Sequence, residues 1–220
     1  MCLRCTRREM LKTGSLALPL MAGLFSPAQG ATVKRALTAV DLSFMGDEIS
    51  LERRAEWSDT APIPWRLRAS SNFHRITVHH AGSFQESKAS RDRVAYVLEG
   101  IMLDHRSRNY GDIGYHFVVD FAGRVWEGRS LAYEGAHTSG QNEGNVGVML
   151  LGNFEEQDSP ASQFESLERV VDRLRGRFRI KRHRVYGHRD LAQSLCPGKK
   201  LYQRIEGLRK GVKKPAGARG

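Results

Sequence analysis

Apolar residues recur along the chain in two spacings, one typical of helices and the other of strands. From Ser90 to Asn109 they fall three or four residues apart, which predicts an amphipathic helix with Ser90 as its N-cap. Ser159 and Pro160 should open a second helix, as cap and first-turn proline, and residues 201–209 form a third. Short β-branched and apolar runs predict strands at 76–79, 115–119, 124–127, 146–151 and 185–186. This alternation predicts an α/β fold with a mixed central β-sheet flanked by helices on both sides.

The 220 residues suit one domain preceded by a targeting segment. Residues 1–30 resemble a twin-arginine-type signal peptide, because Arg7-Arg8 precede an apolar run at 16–25 that is too short to span a bilayer. An uncleaved anchor or a chance arginine pair is the alternative. We interpret residues 31–49 as a lead-in segment, within a stretch up to 70 that has little regular structure. The domain then covers 50–210, and 211–220 form a basic disordered tail.

The chain is strongly basic, with a formal net charge of +11. Removing residues 1–30 takes away four cations and one acid, which leaves 11 − 3 = +8. Such a surface attracts polyanions, which could be nucleic acid, an anionic membrane face or an anionic cell wall, or it is merely solvated. No recognition helix or basic–aromatic stripe is present, so we expect no nucleic-acid partner.

Cysteine usage bears on the chemistry. Cys2 and Cys5 lie in the segment to be removed, so the mature chain keeps only Cys196 and can form no internal disulfide. Cys196 follows His188 by 196 − 188 = 8 residues, a loop that can return to one metal ion. His79-His80 lie at the end of a predicted strand. Two histidines and a thiolate can hold a catalytic Zn²⁺ with its fourth position open for water. A strand histidine satisfied within the core is the competing interpretation.

Several motifs follow one another in order over about residues 50–205, at Arg54-x-x-Trp57, 76–80, 112–117, 126–129, 135–140, 145–148, 187–190 and 196–198. Together they resemble the peptidoglycan recognition protein and type-2 N-acetylmuramoyl-L-alanine amidase family. The resemblance implies an amidase-like fold with a zinc site in a surface groove. It also implies hydrolysis of the amide bond between N-acetylmuramic acid and L-alanine in peptidoglycan or muropeptides. The alternative is a non-catalytic peptidoglycan-binding module, but members that lost activity lack the cysteine that is present here.

The resemblance assigns roles to individual residues. It implies that His79, His188 and Cys196 hold Zn²⁺. Tyr115 would be catalytic, donating a hydrogen bond to the attacking water or the oxyanion. Ser194 would assist at a position where some members have Lys or Thr.

Four further residues are assigned to substrate binding, namely His80, His137, Thr138 and Arg129. His116 is expected in the core or behind the ligands, and His74, His105 and His183 at the surface. Members that recognise diaminopimelate stems carry Gly-Trp where this chain has Ser130-Leu131, so stem specificity does not transfer. We expect a monomer, exported to the periplasm, the cell surface or the medium, with no membrane span after signal cleavage.

Overall fold

The computed structural model describes residues 40–70, 72–83 and 88–211. The predicted export signal, the first part of the lead-in and the tail beyond Gly211 lie outside the described residues.

In the described part of the chain, six strands form one mixed sheet in the order β1-β4-β3-β5-β2-β6. They are β1 (Leu51–Glu52), β2 (Arg75–His80), β3 (Phe117–Val119), β4 (Val125–Glu127), β5 (Asn145–Leu150) and β6 (Val185–Gly187). Only β3 and β4 pair antiparallel, across the predicted turn at 120–123, and the other neighbours are parallel. The predicted mixed sheet is therefore confirmed, and it gains β1 as an edge strand.

The described residues contain three α-helices. They are α1 (Arg91–Ser107) between β2 and β3, α2 (Ala161–Phe178) between β5 and β6, and α3 (Lys199–Lys210) after β6. Ser90 caps α1 as predicted, with its side chain accepting the Arg93 N–H at 3.2 Å. The predicted cap of α2 is wrong, because extended Pro160 is itself the N-cap and makes no side-chain cap bond. Within the described residues no helix combines the length and hydropathy needed to cross a bilayer.

The helices cover both faces of the sheet. Side chains alternate along a strand, so Phe117 and Val119 of β3 pack with α2 and α3, and Val118 packs with α1. The same alternation in β2 sends Ile76 and Val78 to the α2/α3 face. His79 therefore points to the α1 face.

Residues 40–70, which the sequence indicated to be a stretch with little regular structure, pack against the rest of the domain. Leu42, Met45 and Ile49 are buried in the core beside α2. The Trp57 indole N–H donates to the Glu127 carbonyl at 2.8 Å. The segment has almost no internal periodicity because three short 3₁₀ turns and β1 are fixed by contacts with the rest of the domain.

Candidate functional site

Parallel pairing of β2 and β6 brings two histidines together. Val78 lies opposite Gly187, so the next residues, His79 and His188, emerge at the same end of the two strands, with ring centroids 4.6 Å apart. Cys196 approaches from the loop before α3, with Sγ 3.6 Å from His79 Nδ1. The three ligand atoms all lie within 4.8 Å of one another, and in the described part of the chain they are the one group of three His, Cys, Asp or Glu arranged to hold a metal.

This donor set fits zinc. With bonds of about 2.0–2.1 Å to nitrogen and about 2.3 Å to sulfur, tetrahedral zinc separates its ligand atoms by roughly 3.5 Å. The distance of 3.6 Å between His79 Nδ1 and Cys196 Sγ meets that requirement. Burial raises the pKa of the Cys196 thiol to about 12. A thiolate is therefore favoured here only when a bound cation compensates its charge.

Arg189 joins the turn of His188 to the loop of Cys196. Its backbone N–H donates to the Cys196 carbonyl at 2.9 Å. Its guanidinium donates to the Leu195 carbonyl and, at 2.9 Å, to Glu155 Oε1. The backbone N–H of His80 completes the support by donating to Cys196 Sγ at 3.4 Å. Cys196 is thus held from the end of β2 and from the turn that follows β6.

Asp190 fixes the turn that carries His188. One carboxylate oxygen accepts the Gly187 N–H at 2.8 Å and also contacts the Arg209 guanidinium. The other accepts the Tyr202 hydroxyl at 2.5 Å. Asp190 belongs to the motif at 187–190, but its role is not visible in the sequence, because its partners lie 12 and 19 residues away on α3.

A chain of hydrogen bonds determines which nitrogen of His79 faces the metal position. His137 Nε2 lies 3.2 Å from the Asn145 carbonyl, which can only accept, so Nε2 carries the proton and Nδ1 is an acceptor. That Nδ1 lies 3.0 Å from His79 Nε2 and from Thr138 Oγ1, both of which can donate to it. His79 is then protonated on Nε2, and its Nδ1 lone pair points towards Cys196. His137 therefore orients the ligand His79.

Two glycines make room for the His137 ring. A Cβ atom added to Gly135 or to Gly147 would lie 2.4 Å from His137 Cδ2, closer than any real contact. Burial lowers the pKa of His137 well below its ordinary value, which keeps the ring neutral and its Nδ1 free to accept. Both glycines lie in sequence motifs, at 135–140 and 145–148, but their packing against the His137 ring is visible only in the folded structure.

Tyr115 stands beside the metal ligands. Its ring centroid is 5.2 Å from that of His79, and the side chain is half-buried. Burial raises the pKa of Tyr115, so the phenol stays protonated and can donate a hydrogen bond. The backbone before it is held by His105, whose Nδ1 accepts the Gly114 N–H at 2.8 Å.

The surface assignment of His105 is wrong. Its side chain is buried, and its ring centroid is 5.7 Å from that of Tyr115. The signal was available, because His105 follows Met102 by three residues and continues the buried stripe of Val94 and Leu98 along α1. His74 and His183 are exposed and His116 is buried, as expected.

Ser194 supports the loop of the cysteine ligand. Its Oγ accepts the Cys196 backbone N–H at 3.1 Å, and the side chain is half-buried. The hydroxyl proton is not used in this contact, so it can still be donated.

Two of the expected substrate-binding residues are tied into the protein. The half-buried His80 accepts the Phe154 N–H through Nδ1 at 3.2 Å. Thr138 is buried, and its hydroxyl lies 3.0 Å from His137 Nδ1. Both side chains therefore support the site from behind.

Arg129 is likewise internal, which differs from the open position expected of a substrate ligand. Its guanidinium donates to the carbonyls of Ile113, Glu134 and Asp112 at 2.8, 2.7 and 3.0 Å. It fixes the loops that lead to Tyr115 and to His137. The motif specifies that an arginine is present, but it does not show which way its side chain points.

The sequence profile of the N-acetylmuramoyl-L-alanine amidase family matches residues 69–199. A peptidoglycan recognition protein of Trichoplusia ni is 30% identical over 153 residues, covering 68% of this chain and 82% of the relative. The ectodomain complex of peptidoglycan recognition proteins LCa and LCx, solved with tracheal cytotoxin bound, has a TM-score of 0.65 at 28% identity, covering 72% of this chain and 95% of that one. The amidase LysC of Clostridium intestinale shares the fold, with a TM-score of 0.60 at 24% identity and coverage of 74% and 98%. The profile spans more than half of the chain, so this protein belongs to the N-acetylmuramoyl-L-alanine amidase family, within which the peptidoglycan recognition proteins also fall.

Proposed function

We propose that this protein is a zinc-dependent N-acetylmuramoyl-L-alanine amidase. It hydrolyses the amide bond between N-acetylmuramic acid and L-alanine in peptidoglycan or its muropeptide fragments. The observation that carries the proposal is the complete set of His79, His188 and Cys196, with ligand atoms within 4.8 Å of one another. A module that only binds peptidoglycan has no need of three such ligands beside a donor tyrosine.

Zinc, when bound by these residues, supplies a Lewis acid that polarises a carbonyl and lowers the pKa of a water. Tyr115 donates its hydroxyl proton in a hydrogen bond to the oxygen on which negative charge develops. Ser194 offers a second, uncharged donor through the proton that its contact with Cys196 leaves free. His137 holds His79 in the tautomer that directs Nδ1 towards the metal position.

The site is accessible to a large substrate. Tyr115, His188 and Cys196 are each half-buried, and Leu195, next to the cysteine ligand, is 73% exposed. An exposed leucine at the rim offers an apolar contact to a sugar or a peptide side chain. This openness suits a polymer, because a closed pocket would admit only a fragment.

The alternative is a peptidoglycan-binding module without hydrolysis. It is favoured by the relatives, since the LCa and LCx complex was solved with tracheal cytotoxin bound and the relatives carry recognition in their names. Both proposals predict binding of muropeptides, so binding alone does not separate them.

Digestion of purified peptidoglycan separates the two proposals. We expect new L-alanine amino termini and free muramic acid carboxylates, detected by mass spectrometry. Chelation should abolish these products, added zinc should restore them, and Cys196→Ala should produce none. Peptidoglycan that is bound but left intact by the zinc-loaded protein would establish the binding module instead.

We further propose that the protein acts outside the cytoplasmic membrane. The support is the Arg7-Arg8 pair with the following apolar run, which is typical of the twin-arginine route. A wall substrate is reached only from that side of the membrane.

A further inference from the structure

A second surface of the protein has a distinct chemical character. Residues 173–184 contain no Asp or Glu, and they carry Arg or Lys at 173, 175, 177, 179, 181, 182 and 184. They form the end of α2 and the 3₁₀ turn Arg182–Arg184 before β6. Residues 181–184 are all exposed. We name Arg177, Arg179, Lys181, Arg182, Arg184 and Lys210 the cationic end.

The cationic end is one continuous surface. Arg182 lies 4.0 Å from Asp172, which also pairs with Arg175 on α2 at 2.8 Å. The Arg182 side chain also reaches the end of α3, because a Cβ atom on Gly211 would lie 3.7 Å from its Cδ. The ends of α2 and α3 and the turn between them therefore present their charges together.

Most of these charges are not consumed by internal ion pairs. Among the described residues, no acidic group lies within ion-pair distance of Arg177, Arg179, Lys181 or Arg184. Arg177 stacks over the ring of Phe178 at 5.7 Å. Arg179 ends α2 with φ of 55°, a left-handed position that usually takes glycine. The backbone conformation at this position therefore gives no reason for an arginine.

The cationic end faces away from the metal site. Residues 182–184 precede β6 whereas His188 follows it, and at ~3.3 Å per residue the four steps from Arg184 to His188 span about 13 Å. The cationic end also belongs to the α2/α3 side of the sheet, while His79 and Tyr115 lie on the α1 side. A partner bound there leaves the site uncovered.

We propose that the cationic end is a docking surface for an anionic phospholipid bilayer. Arginine guanidinium groups match phosphate oxygens with paired hydrogen bonds, and clustered cations near an anionic bilayer add their attraction. The exposed charges come from three chain segments, and such an arrangement suits an extended planar surface. A single polymer strand is usually bound in a groove instead. Docking at this end would direct the metal site away from the membrane, and it does not depend on hydrolysis.

The test compares two variants of the full chain that each lose four cations. The first changes the cationic end, by Arg179→Gln, Lys181→Gln, Arg182→Gln and Arg184→Gln. The matched control removes four exposed cations elsewhere, by Arg66→Gln, Arg68→Gln, Lys88→Gln and Arg108→Gln. Circular dichroism and thermal melting establish that both fold.

Binding is measured by co-sedimentation with vesicles of phosphatidylglycerol and phosphatidylcholine, and with vesicles of phosphatidylcholine alone. Each cation near an anionic bilayer strengthens the binding constant roughly fivefold. Loss of four cations should therefore weaken binding of the cationic-end variant by on the order of 100-fold or more. The control should lose only a few-fold. Binding of the parent should fall steeply towards 1 M salt, where the Debye length is ~3 Å. Neutral vesicles account for any contribution of the apolar run at 16–25, which all three proteins share.

The opposite results would overturn the proposal. Equal losses in the two variants would mean that net charge acts without a specific surface. Vesicle binding by the cationic-end variant that is as strong as that of the parent would show that the cationic end is not the docking surface. A duplex DNA fragment serves as the second probe, and DNA binding that depends on the cationic end while vesicle binding does not would replace the bilayer with nucleic acid.

Discussion

Among single residues, His137 has the most specific consequence for metal binding. Its Nδ1 lies 3.0 Å from His79 Nε2, and its own proton is held by the Asn145 carbonyl. We expect His137→Leu to weaken zinc binding 10- to 100-fold, because His79 loses the acceptor that selects its tautomer. Zinc affinity is measured by competition with a chromophoric chelator.

His116→Leu is the matched control for this change. His116 is also buried and its ring packs against His137, but its two nitrogens bond to the Gly147 N–H and the Tyr133 carbonyl and not to His79 or His137. Thermal melting of both variants separates a loss of fold from a loss of metal. If both variants lost zinc affinity equally, the chain through His137 would have no special role.

Tyr115 is expected to act on the rate and not on the metal. Tyr115→Phe removes the hydroxyl and keeps the ring, which lies 5.2 Å from that of His79. Loss of one donor to a developing oxyanion costs on the order of 100- to 1000-fold in turnover. We expect that loss in kcat for a muropeptide, with the zinc content unchanged. Tyr110→Phe, at the neighbouring ring of His105, should keep the parental rate. A Tyr115→Phe variant as fast as the parent would make this tyrosine structural.

Residue identity and residue environment were not equally predictable. The family resemblance pointed to His79, His188 and Cys196 as metal ligands, and the structure places their ligand atoms within 4.8 Å of one another. It could not show that Arg129 donates to three backbone carbonyls, since that orientation depends on loops distant in sequence. A motif specifies which side chain is present, whereas its direction is decided by tertiary packing.

Among the elements, α1 makes stability depend on pH. His105, on its buried stripe, has its pKa lowered to about 4 by burial, and the same is true of His116 beneath the site. Between pH ~4 and ~6.5 the unfolded chain binds more protons than the native chain at these groups. The free energy of unfolding therefore falls as pH decreases through that window, by at most about 3 kcal/mol for each histidine.

The measurement is urea unfolding of the metal-free protein at several pH values, so that proton competition for zinc does not contribute. His105→Asn should make the dependence shallower, because one of the histidines that burial keeps neutral is gone. His183→Asn, at an exposed position, should leave it unchanged. If the free energy of unfolding of His105→Asn changed with pH as steeply as that of the parent, His105 would not be a buried, neutral histidine in the folded protein.

Periodic elements were predictable and non-periodic ones were not. The helix at 90–109 and the strands at 76–79 and 146–151 carry several turns or alternations of apolar residues, and each lies within two residues of its observed bounds. β1 has two residues, Leu51 and Glu52, and exists because β4 offers a free edge. Ser159 fails as a cap because Pro160 adopts the extended capping conformation itself.

The three candidate metal ligands come together only in the folded domain. His79 and Cys196 are 196 − 79 = 117 residues apart, and their meeting requires β2, β5 and β6 to be paired and the loop before α3 to be in place. Metal binding by these three residues would therefore be coupled to folding of the complete domain. A route that transports folded protein would allow zinc to be loaded before export.

The coupling leads to a test of whether the Arg7-Arg8 pair directs export of the folded protein. Changing both arginines to lysine keeps the charge but should stop recognition by the twin-arginine route, so that precursor accumulates inside the cell. Arg4→Lys, outside the pair, is the matched control and should leave export intact. Fractionation and immunoblotting report precursor and mature protein, and metal analysis of the trapped precursor reports zinc. We expect about one zinc per trapped chain, because the site needs only the folded domain and a three-ligand catalytic centre holds one ion.

Mature protein outside the membrane in the double-lysine variant would show that another route carries the chain. Zinc-free precursor would place metal loading after transport.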